Sequence, residues 1–162
     1  MEPVSWCPSD PSLDPARVSR LVARARAAVS RVAGSGLYRR LLLAPDSPLR
    51  RRLALLAPAR LSLLGVGSIE SSPAARLQLA LAALLRRDLL PEAASADLFD
   101  PVLSAAECAA AAAALGFAVP GVDDGYRRRV AEATLFYMPH CEVALYVDDG
   151  VDLAAAIAGG KI

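Results

Sequence analysis

The sequence predicts an α/β domain: a Rossmann-like three-layer sandwich with a short, mostly parallel sheet, preceded by N-terminal helices. Three observations lead there. Short apolar runs at residues 61–64, 96–100, 117–119 and 134–138 alternate with helical patterns, and such alternation builds a parallel sheet through right-handed crossovers. The run at 134–138 is apolar at consecutive positions, as expected of a strand covered on both faces. Finally, the run at 61–64 leads into Gly65, Val66, Gly67 and Ser68 and then a helix start at Ser72 and Pro73, which makes a unit of strand, glycine turn and helix.

Residues 1–13 interleave Pro3, Pro8 and Pro11 with Ser5, Ser9 and Ser12, so a disordered or loosely attached leader is expected. Residues 14–59 should form helices packed on the domain. Asp14 caps the first of these, with Pro15 at its opening position. Val18, Leu21, Val22, Ala25, Val29 and Val32 recur at helical spacing before Gly34 and Gly36 end it. Ser47 and Pro48 repeat the start signal for a short helix that Pro58 closes.

The main domain is expected over residues 60–146, followed by a divergent tail at 147–162. Within it, Ser72 and Pro73 start a helix to about Arg87 that should bury Leu77, Leu81, Leu84 and Leu85. Ser104 and Glu107 have the spacing of a capping box, and Gly116 stops the helix they open. Pro120, Gly121, Asp123, Asp124 and Gly125 form a loop.

Composition narrows the function classes. Hydrophobic residues are 55% of the 162, yet aromatics are 5%, so the core must rest on leucine and valine. The longest apolar stretches, 77–85 and 109–119, fall short of the roughly 18–20 residues that cross a bilayer, and no membrane contact is expected. An N-terminus with Glu2, Pro3 and Asp10 lacks the basic start of a secretory signal, which points to an intracellular chain. The arginine-rich first helix also has the look of an organelle transit peptide, against which the acidic start argues. Three widely spaced cysteines and one histidine suit neither a disulfide framework nor a zinc site.

Charge is divided unevenly. Residues 1–60 carry 11 arginines and 4 acids, a balance of +7, whereas residues 61–162 carry 7 basic and 13 acidic groups, a balance of −6. A basic arm can meet nucleic acid or an acidic partner; solvated arginine faces on amphipathic helices are the plainer reading.

In folds of this class ligands gather beyond the C-terminal strand ends, which here means Gly65, Gly67, Ser68, Asp100, Pro139 and His140. Gly65 and Gly67 would let the backbone approach a ligand, and the helix N-terminus that opens at Ser71, Ser72 and Pro73 offers free amides to an anion. The third glycine of a dinucleotide fingerprint is missing, so the two glycines also read as mere turn formers. Asp100 could accept from a ribose or simply start a loop with Pro101. His140, beside Cys141, could act as a general base, bind a ligand or hydrogen-bond backbone at the strand terminus. The arginines at 127–129 are either a phosphate contact or a solvated run. No cofactor can be named from these residues.

The run at 63–80, with Asp100-Pro101-Val102 and the stretch Thr-Leu-Phe-Tyr-Met-Pro-His-Cys at 134–141, resembles the SENSITIVITY TO RED LIGHT REDUCED family over residues 60–146. The resemblance implies a regulatory protein of cytoplasm and nucleus, linked in plants to circadian clock input, phytochrome B signalling and flowering time, with no established reaction. Protein partners are implied, and a small molecule at the glycine turn is a further expectation. The chain departs from the family at Ser68 and Ile69, where asparagine is usual, and after Tyr146, where a helix, an Asn-Trp pair and another strand are expected. Without them the strand at 135–138 would be an unpaired edge prone to association. The alternative is a nucleotide- or S-adenosylmethionine-dependent enzyme using Asp100 and His140; nucleic-acid binding through the arginines between 17 and 60 is a third, less favoured reading.

Overall fold

The computed structural model describes residues 4–123 and 132–139. In chain order the elements are β1 (Val4–Ser5), α1 (Pro15–Ala33), α2 (Gly36–Tyr38), a π-helical turn (Arg39–Leu43), α3 (Pro48–Leu56), β2 (Arg60–Leu64), α4 (Pro73–Leu89), β3 (Ser95–Phe99), α5 (Ala105–Leu115), β4 (Val122–Asp123) and β5 (Thr134–Tyr137).

Each longer helix starts where a cap was expected. The Asp14 carboxylate accepts from the amides of Ala16 (3.1 Å) and Arg17 (3.2 Å), which otherwise lack intrahelical partners. Ser47 caps α3 through the Arg50 amide at 3.3 Å, and Ser72 caps α4 through the Ala75 amide at 3.2 Å. Proline occupies the first turn of α1, α3 and α4, where its missing donor is harmless. Between α1 and α3, the short α2 and the π-helical turn were not anticipated. They are held by the Tyr38 hydroxyl, which donates to Asp88 of α4, and by Ser47, whose hydroxyl donates to the Leu41 carbonyl. Burial raises the pKa of Asp88.

The main sheet is wholly parallel, in the order β3-β2-β5, with Leu61 opposite Ala96 on one side and Leu135 on the other. Leu61, Leu63 and Leu98 are fully buried in one core with Leu79 and Leu84 of α4, each contributing about 2 kcal/mol by burial. On the opposite face of β2, the Ser62 hydroxyl donates to Asp97 at 2.7 Å, and Arg60 pairs with Asp97 at 3.2 Å. Among the described residues, β5 pairs only with β2.

Two expectations need correction. The strand at 117–119 is reduced to one bridge: Ala118 donates to the Ala96 carbonyl (2.9 Å) and accepts from the Leu98 amide (2.8 Å). Gly116, at φ 69°, turns the chain just before it, and Pro120 follows directly, so no longer ladder can form. The leader, expected to be loose, is tied down from residue 4. β1 pairs antiparallel with β4, the Trp6 amide donates to the Gly121 carbonyl at 2.9 Å, and the Trp6 ring meets Phe99 edge-on at 5.2 Å. Pro8 and Pro11 fit because they lie beyond this two-residue ladder.

Candidate functional site

The C-terminal ends of β2 and β3 meet at the glycine turn. The Gly65 amide donates to the Phe99 carbonyl at 3.1 Å, which carries the pairing one step beyond β2. Gly65 (φ 65°) and Gly67 (φ 80°) both adopt left-handed backbone, which disfavours side chains. A Cβ added at Gly67 would meet no heavy atom within 4 Å, so the backbone conformation, not crowding, calls for glycine there.

Two buried carboxylates take up the donors of this turn. Asp100, 6% exposed, lies just past β3; its Oδ2 accepts from the Gly67 amide at 2.7 Å and its Oδ1 from the Val102 amide at 3.0 Å. Glu107, 2% exposed, forms the expected capping box, with Oε2 accepting from the Ser104 amide and hydroxyl, both at 2.8 Å. Its other oxygen, Oε1, accepts from the Ser68 hydroxyl at 2.6 Å and the Glu70 amide at 2.9 Å. One side chain therefore caps α5 and clamps the turn that precedes α4. Burial acts to raise the pKa of Glu107, but the hydrogen bonds from Ser104, Ser68 and Glu70 outweigh it and hold the group below its ordinary value.

The outer side of the turn is fastened to α1. Arg17 reaches Glu70 through Nε (3.1 Å to each carboxylate oxygen) and Nη2 (2.5 Å), and Asp10 through Nη1 (2.6 Å). These bonds raise the pKa of Arg17, and the Arg17 hydrogen bond lowers that of Asp10. Arg76 returns from α4 to the carbonyls of Ile69 (2.8 Å) and Glu70 (2.9 Å).

Of the residues singled out in the sequence, Gly65, Gly67, Ser68, Ser72 and Asp100 come together at this rim. His140, Cys141 and the arginines at 127–129 lie outside the described residues. The rim's chemistry is that of a brace. The amides of Gly67 and Glu70 face carboxylates, and Ser72 serves its own helix, so an anion placed here would meet two buried acids. Cys108, beside Glu107, has its thiol pKa pushed up by burial and then by that charge, the reverse of an activated nucleophile. Glu107, Glu70 and Arg17 are the residues that sequence reasoning missed in this role. The capping spacing places Glu107 at the helix start, but nothing in it announces that the second oxygen binds a turn 37 residues away.

A second feature is lined by α4 itself. A groove of about 500 Å³ runs between the N-terminal helices, α4 and β5, lined almost wholly by apolar groups. Leu84 and Leu85 are buried as expected, but Leu77 and Leu81 are only partly covered and line this groove. Within it the Tyr137 hydroxyl donates to Gln78, and burial raises the tyrosine's pKa.

The SRR1 domain family model matches residues 46–148, most of the chain. The chain belongs to the SRR1 family. It is 35% identical over 146 residues to Protein SENSITIVITY TO RED LIGHT REDUCED 1 of Arabidopsis thaliana, an alignment covering 87% of this chain and 53% of that protein. It is also 35% identical over 83 residues to the SRR1-like protein of Mus musculus, covering 51% of this chain and 33% of that one. The chain thus spans about half of the first relative and a third of the second. The SRR1 match begins ahead of β2 and takes in α3, so part of the N-terminal helical region belongs to the family pattern. No solved structure matches the chain. No helix among the described residues is long and apolar enough to cross a membrane.

Proposed function

We propose that this SRR1-family chain is a regulatory protein of red-light signalling and clock input that works through protein contacts. The observation that carries the reading is its 35% identity, over 87% of its length, to a relative named for reduced sensitivity to red light. The glycine rim supports a non-catalytic role, because its buried carboxylates and turn amides hold one another. Phytochrome B-linked responses, flowering time and a cytoplasmic and nuclear location belong to the same proposal. A Rossmann-like fold is part of it too, supported by the order Ala118, β3, β2, β5, in which the chain passes to one side of β2 and then returns to the other.

The test is to express the chain in Arabidopsis lacking the red-light relative and measure seedling growth under red light. Restored sensitivity is expected; a well-expressed chain that leaves the response unchanged contradicts the proposal. A ligand-dependent enzyme remains the rival reading. Thermal stability screened against nucleotides and S-adenosylmethionine separates the two, since any ligand bound by the folded chain raises its midpoint. No specific shift is expected.

A further inference from the structure

We infer that the groove between the N-terminal helices and β5 is the docking site for an acidic amphipathic helix of a protein partner. The inference deepens the protein-contact reading above and rests on it. The first support is uncovered apolar surface. Leu37, Leu41 and Leu49 are 57%, 47% and 38% exposed, and with Leu77, Leu81 and Tyr137 they line one continuous groove. Apolar side chains gathered in this way, rather than scattered, mark a surface that something covers.

The second support concerns hydrogen bonding. Of the groove's uncharged polar side chains, Tyr137 donates to Gln78, Tyr38 to Asp88 and Ser35 to the Val32 carbonyl. An occupant therefore gains little by bringing polar groups to the floor and loses by burying unpaired ones. A helix satisfies its own backbone and can offer leucine-sized side chains along one stripe, which suits a space of about 500 Å³ between helices.

Charge sets the sign of the partner. Residues 31–56, which run from the end of α1 through α3 and build the N-terminal wall, contain six arginines and one acid, Asp46. Arg31 lines the groove itself, and Arg39, Arg40, Arg50 and Arg51 are exposed on the π-helical turn and α3. Acidic residues flanking the partner's apolar stripe would meet Arg31 and the positive field of this wall, steering association and disfavouring basic competitors. A second copy suits the groove less well, because two-fold self-pairing sets the same arginine-rich wall against itself.

The experiment uses the full chain and a fluorescent synthetic helix with leucines at i, i+3, i+4 and i+7 and glutamate elsewhere, read by anisotropy. A control helix has lysine for each glutamate. The glutamate helix should bind, lose affinity as salt rises, and bind about tenfold more weakly to Leu41→Glu. Arg31→Glu, a change at an exposed residue that lines the groove, should also weaken it. Equal binding of the lysine helix, absence of binding, or binding indifferent to both variants overturns the inference. So does a dimer in sedimentation that Leu41→Glu dissociates, since the face would then belong to a second copy. In the Arabidopsis assay, Leu41→Glu should fail where the unaltered chain succeeds. If both succeed, the groove inference falls and the signalling proposal stands. If neither succeeds while the glutamate helix binds as expected, the signalling proposal falls and the groove stands.

Discussion

The glycine rim, which leads into α4, and the apolar groove, which α4 lines, differ in one respect above all: what is done with their interaction capacity. At the rim, donors and acceptors are matched inside the protein, so that Asp100 and Glu107 hold the backbone of residues 67–70. In the groove, leucines on the π-helical turn, α3 and α4 stand partly uncovered. Glycines at a strand end invite a ligand reading; the turn they form here is braced by two buried carboxylates. The surface with capacity to spare is the one built by the N-terminal helices.

That contrast predicts a ranking of substitutions, measured as stability to chemical denaturation. Glu107→Ala should have the largest effect, about 3–5 kcal/mol, because it strands the amides of Glu70 and Ser104 and two hydroxyls in a buried setting. Asp100→Ala follows at about 2 kcal/mol for the amides of Gly67 and Val102. Gly67→Ala should cost about 1–2 kcal/mol, purely for a side chain at φ 80°, since the added methyl touches nothing. Leu41→Glu in the groove should stay within about 0.5 kcal/mol of the unaltered chain. If the groove substitution destabilised as much as Glu107→Ala, the distinction between a brace and an open surface would be lost.

Acid sharpens the same comparison. The folded-state pKa of Glu107 is lowered, so its contribution is fully present above the ordinary glutamate value of about 4.3 and is lost as pH falls through the lowered folded value. The denaturation midpoint of the unaltered chain should therefore fall below about pH 4 more steeply than that of Glu107→Gln. Parallel curves would mean that the carboxylate does not hold the turn.

Much of this architecture is legible in the sequence, because caps are local chemistry. Asp14, Ser47, Ser72 and the Ser104–Glu107 pair each open a helix where their spacing says they should. The parallel strands at 60–64, 95–99 and 134–137 follow from short apolar runs between helical patterns. The misses are long-range. Nothing within residues 1–13 foretells that Val4 and Ser5 will pair with residues 122–123, or that Trp6 will meet Phe99. Leu77 and Leu81 obey the helical period of the buried side, yet how far α3 and β5 cover that side is decided by tertiary packing. The same holds for the rim. Its glycines, Ser68 and Asp100 are visible as a group, but the partner that clamps them, Glu107, is written in the sequence only as a cap.

The central claim, that the glycine turn is held from within, is tested most directly by native-state hydrogen exchange at the amides of Gly67 and Glu70. Both should be strongly protected in the ligand-free chain, and Glu107→Gln should release Glu70 while the core amides of β2 remain protected. Rapid exchange at both positions in the unaltered chain would contradict the account.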